Sequence, residues 1–203
     1  TANDAISPDS TLTSEKVVVA ASAGEHKIER SYNLTSFDTF DVDTIKWDSD
    51  TETFDTGANN ATQTFTSSFF AKKGENDRIR FTVFLDSGIE NAQFSVNLDT
   101  GEVGNLFATS GIDVSAHGSI PLGDGWYRLY MTVDFGYGFS TVKNRISVLS
   151  NIGGLLDWTG DGTTGLYVWG AKLTTKSLGT YVSVLGTEFY TNAEYNIKTF
   201  ALD

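Results

Sequence analysis

A two-residue hydrophobic period recurs along nearly the whole length of this chain, with no convincing helical period beside it. Successive Cβ atoms of an extended chain point to opposite faces, so such alternation marks strands with one buried side. The clearest case is residues 78–86, where Ile79, Phe81, Val83 and Leu85 fall on one face and Arg78, Arg80, Thr82 and Phe84 on the other. Ala92, Phe94, Val96 and Leu98 then alternate with Gln93, Ser95 and Asn97. Asp99, Thr100 and Gly101 supply turn chemistry before Glu102 and Val103 resume, which predicts a hairpin. Tyr127, Leu129, Met131, Val133 and Phe135 form a third inward row, opposed by Trp126, Arg128, Tyr130, Thr132 and Asp134; Gly123, Asp124 and Gly125 mark its start. Further strands are predicted at residues 16–20, 25–32, 62–72, 143–149, 165–173 and 180–185.

Short strands parted by turns point to an all-β, two-sheet antiparallel sandwich. A chain of 203 residues can bury one sizeable core, so residues 1–187 are expected to form one domain. Two stretches depart from the pattern. Between residues 38 and 57, Asp38, Asp41, Asp43, Asp48, Asp50, Glu52 and Asp55 face only Lys46, and a solvated loop anchored by Trp47 is expected. Residues 188–203 carry Phe189, Tyr190, Tyr195, Ile197 and Phe200, too apolar for a free tail; this extension is expected to dock on the domain or on a neighbouring subunit.

Charge removes several partners. Fourteen basic residues against twenty-six acidic ones give a net charge of −12, which repels nucleic-acid phosphates and anionic headgroups over roughly a Debye length. No window approaches the roughly 18 consecutive apolar residues of a bilayer-spanning helix, and residues 1–10 lack the basic and apolar regions of a signal peptide, so a soluble domain is expected. Without cysteine, stability must come from packing and sheet hydrogen bonds.

Four ordered motifs carry a resemblance: FTSSFFAKKG at residues 65–74, FSVNLDTGEVGN at 94–105, GDGWYRLYMTV at 123–133 and DGTTGLYVWGAKL at 161–173. Together they resemble the carbohydrate-binding-module-like jelly-roll domains of bacteriophage head-fibre, spike and tail-associated structural proteins, in which a GWYR strand and a YVWGA strand recur in this order. The resemblance spans about residues 7–184, including the proline-aspartate turn of SPDSTLTSEKVV at residues 7–18. The tryptophan-containing strand that often precedes that turn is lacking, and the aromatic tail after Glu188 is additional. The resemblance implies a jelly roll and a non-enzymatic virion protein.

His26 and His117 are the only histidines, and neither sits in a nucleophile elbow or a metal-ligand pair, so both read as ordinary packed or surface residues. Gly160, Gly162 and Gly165 match G-x-G-x-x-G, but a strand follows where the dinucleotide motif needs a helix, so a tight turn is expected. The sequons at Asn33 and Asn60 read as coincidence in an Asn- and Thr-rich chain. No cofactor is expected; structural calcium is left open at Asp48, Asp50 and Glu52, or at Asp157 and Asp161.

Sugar recognition needs aromatic platforms for ring faces and planar polar groups for hydroxyls. Trp126, Arg128 and Tyr130 alternate on one face, and with Arg80, Gln93 and Asn97 on the same sheet they would form a concave sugar surface. Packing of the same aromatics under a loop or against a neighbouring subunit is the favoured reading. Tyr137, Phe139 and Trp158 are exposed-loop candidates, or caps of the sandwich ends. The resulting expectation is a non-enzymatic component of the outer surface of a phage capsid or tail: a head fibre, decoration protein or tail appendage. It would contact other virion proteins, form a homo-oligomer in the particle, and adhere to host-surface glycans, without nucleic acid or membrane insertion. The rivals are a glycan-binding module of a secreted polysaccharide-degrading enzyme, a purely structural capsid cement protein, and a glycosidase or lyase.

Overall fold

The computed structural model describes residues 5–8, 14–33, 46–48, 53–55, 63–85, 90–135, 141–151, 153–174 and 194–196, and every regular element among them is a strand. In chain order these are Glu15–Val18 (β1), Ala23–Asn33 (β2), Lys46–Asp48 (β3), Thr53–Asp55 (β4), Gln63–Lys72 (β5), Arg78–Leu85 (β6) and Asn91–Asn97 (β7). Then follow Phe107–Ala108 (β8), Ile112–Gly123 (β9), Trp126–Phe135 (β10), Thr141–Val148 (β11), Asp157–Thr159 (β12), Gly165–Thr174 (β13) and Glu194–Asn196 (β14).

The strands form two antiparallel sheets that pack face to face as a jelly-roll sandwich. The first runs β1-β13-β5-β10-β9, with β14 also beside β13; the second runs β12-β2-β11-β6-β7-β8. The chain passes between the sheets repeatedly, so neighbours in sequence such as β5 and β6 face each other across the core. The predicted inward rows are that core. Ile79, Phe81, Val83, Leu85, Ala92, Phe94, Val96 and Leu98 from one sheet meet Leu129, Met131 and Val133 from the other, all buried. Phe81 is the hinge of an aromatic stack, edge-on to Phe69 at 4.8 Å and to Phe94 at 5.8 Å between centroids. Tyr127 is only partly buried, packed at the rim of the cluster.

Two expectations change. Residues 123–125 do not merely start a strand; they close a hairpin in which Gly123 pairs with Trp126 and Asp124 and Gly125 take φ of 50° and 77°. Two positive φ angles in a two-residue loop make a type I′ turn, whose twist matches that of the flanking strands. The first arm, β9, is hidden from sequence because it is an edge strand, mostly exposed, with Gly118, Pro121 and two register shifts breaking its alternation. The acidic segment carries a small antiparallel ribbon where a loop was expected, β3 to β4, with Trp47 opposite Phe54; strand-forming aromatics outweigh the acid content there. Within the C-terminal extension, β14 pairs with β13, with Tyr195 opposite Leu173 in register. The strand expected at 180–185 lies outside the described residues.

The glycine-rich stretch before β13 is a turn, as its spacing suggests. Asp161 Oδ1 accepts from the Thr163 and Thr164 backbone N–H groups, both at 2.8 Å, and from Thr164 Oγ1 at 3.0 Å. The Thr164 and Thr163 amides hold its carboxyl at about 2, below the usual 3.8. A carboxyl that is more acidic folded than unfolded stabilises fully above its unfolded pKa, and that contribution is lost as pH falls through about 2. Asp161→Ala is therefore expected to melt below wild type at pH 6, with the gap closing between about pH 4 and pH 2. A gap independent of pH in thermal scans would contradict this role.

Candidate functional site

Alternation on the second sheet sends one side chain of each pair inward and leaves a polar outer face. Arg78, Arg80, Thr82 and Phe84 stand outward on β6, opposite Asn97, Ser95, Gln93 and Asn91 of β7. On the other flank Thr82 meets Arg145 and Arg80 meets Ser147 of β11. This face divides into two electrostatically different halves.

The half over β2 and β11 is internally neutralised. Arg145 Nη2 and Nε lie 2.6 and 2.8 Å from Glu29 Oε2, and its guanidinium stacks 4.4 Å from the Phe84 ring centre. Ser147 Oγ donates to Glu25 Oε1 at 2.6 Å. Burial alone would raise the Glu25 pKa, but the Ser147 hydroxyl, Lys27 and Arg145 outweigh it and leave the carboxyl below its ordinary value. These groups satisfy each other.

The half over β6 and β7 opens into a groove of about 350 Å³, within the lower part of the ~300–1,000 Å³ range of small-molecule sites. Arg78, Arg80, Gln93, Asn97, Glu102 and Phe107 line it. The 102–107 stretch forms one wall by hugging the edge of β7: Gly104 N donates to Ser95 O at 2.8 Å, and Val103 bridges Val96. A Cβ at Gly104 would stand 2.4 Å from Ser95 Oγ, so a larger residue there would force that hydroxyl to turn aside. Phe107 of β8, paired with Gln93, is 52% exposed and shows the groove an aromatic surface. Asn97 Oδ1 already accepts from Asp99 N at 2.9 Å, which leaves its NH₂ as the group it can offer. Arginine forks, amide donors and an open ring together suit a flat hydroxylated ligand.

The structure thus brings Arg80, Gln93 and Asn97 together but separates them from Trp126, Arg128 and Tyr130, which lie on the other sheet. The expected shared surface does not exist, because β10 sits between β5 and β9 whereas β6 and β7 are neighbours across the core. Trp126 is 3% exposed and donates its indole N–H to Ile6 O at 3.1 Å. Arg128 is buried, with Nη2 3.3 Å from Ser68 Oγ and its guanidinium 5.8 Å from the Phe70 ring centre. The half-buried Tyr130 ring lies against Gly118 of β9. For Trp126 and Arg128, packing prevails over the open platform. Trp158 is half-buried against the core, its indole N–H on Val148 O at 3.1 Å and its ring edge-on to buried His26 at 4.8 Å. His117 rests beside Phe94. Tyr137 and Phe139 lie outside the described residues, and so do Asp50 and Glu52. Among the described residues no three His, Cys, Asp or Glu side chains gather as metal ligands.

Sequence reasoning missed Arg78, Glu102 and Phe107 as groove residues. The available signal for Phe107 was a lone aromatic in the glycine- and polar-rich stretch 104–111, at no strand period. No protein-family model matches this chain, and no curated protein matches it.

Proposed function

We propose that this chain is a non-enzymatic surface component of a phage particle, a head fibre, decoration protein or tail appendage, that adheres to surface glycans through the groove over β6 and β7. The observation that carries the binding half of this reading is the convergence of Arg80, Gln93 and Asn97 beside the exposed Phe107. The virion half rests on the four ordered motifs.

A specific feature favours subunit contact as a second role. Edge strand β9 exposes Ile120 and Leu122 at 38% and 46%, apolar side chains suited to burial against another virion protein or another copy.

On a glycan array, wild type is expected to bind a restricted set of polysaccharides. Phe107→Ala should weaken that binding about threefold to tenfold, the effect of removing one ring platform. A flat array for wild type, or undiminished binding by Phe107→Ala, contradicts the sugar reading of this groove.

A further inference from the structure

The arginines whose side chains are described differ in one respect. Arg145 is neutralised by Glu29 and Glu25, Arg128 bonds Ser68, and Arg78 Nε stands 3.8 Å from Asp77 Oδ1. Arg80 has no such partner among the described residues, although it is half-buried between Ser147 and Ser95 and lines the groove. A guanidinium partly withdrawn from water without a counter-charge is unfavourable, and this chain, at net charge −12, has carboxylates to spare. Arg78, itself 3.8 Å from Asp77, lies beside it, and Glu102 is the carboxylate of the groove's lining among the described residues. Arg80 is the groove arginine left without a counter-charge among the described residues.

We infer that the groove selects acidic sugars, with Arg80 taking the carboxylate of a uronic-acid-type residue while Gln93, Asn97 and Phe107 hold its hydroxyls and ring. This rests on the groove being a sugar site and names the class of sugar it takes. The planar fork of a guanidinium presents paired N–H donors that match the two oxygens of a carboxylate, a geometry an ammonium cannot reproduce. The overall negative charge repels acidic polymers elsewhere on the surface, so recognition is confined to this recess and fixes register along the polymer.

The test is calorimetric titration of wild type, Arg80→Ala and Arg80→Lys with an oligouronate and with the same oligomer reduced to neutral primary alcohols. Wild type is expected to bind the oligouronate at least tenfold more tightly than the reduced form. Arg80→Ala should lose roughly tenfold to a hundredfold toward the oligouronate alone, with Arg80→Lys in between. Both variants should melt with wild type, since Arg80 has no partner to lose, so weakened binding is not unfolding. Equal binding of both oligomers by wild type would overturn the acidic preference and leave the sugar reading intact. Binding of neither would overturn both.

Discussion

Phe81→Ala is expected to cost about 3–5 kcal/mol of unfolding free energy, the ordinary range for deleting a fully buried ring. For a domain of this size that is a fall in Tm of roughly 6–20 °C. The cost should be large because Phe81 is fully buried and edge-packed on both sides, against Phe69 from the facing sheet and Phe94 from the adjacent strand. Sheet hydrogen bonding on both flanks of β6 keeps the backbone from collapsing into the void. Chemical denaturation of the two proteins measures this directly. A loss under about 1 kcal/mol would mean that the sheets do not pack through this ring.

Trp126→Ala is expected to destabilise by about 3 kcal/mol, toward the lower end for large aromatics, and to leave glycan affinity within about twofold of wild type. Its ring is buried and its N–H is bound to Ile6 O, so truncation removes packing and one hydrogen bond. It lies on the sheet opposite to the groove, so the sugar contacts are untouched. Calorimetry with the best array ligand, below the melting range of the variant, separates the two effects. A stable Trp126→Ala that no longer binds sugar would return the site to β10.

How much of this was legible in sequence depends on which physical rule acted. Inward rows such as Ile79 to Leu85 are readable because a period of two has one burial solution. Sheet membership is not, because it depends on where the chain crosses between layers; Gln93 and Arg128 look alike as outward polar residues, yet they face opposite sides of the molecule. Burial of an outer face is equally invisible locally. The same alternation that exposes Arg80 in a groove buries Trp126 and Arg128. Edge strand β9 escaped because edges tolerate the glycine and proline that break the pattern. Phe107 escaped because β8 has two residues, too few to show any period.

We propose that the groove over β6 and β7 is the face of this sandwich where the protein meets its ligand. Amide chemical-shift mapping during titration with an oligouronate tests it most directly. The predicted result is a contiguous set of saturable shifts at Arg78, Arg80, Gln93, Ser95, Asn97 and Phe107, with β10 silent. Shifts centred on β9 and β10 with a silent groove, or no saturable shift anywhere, would contradict it.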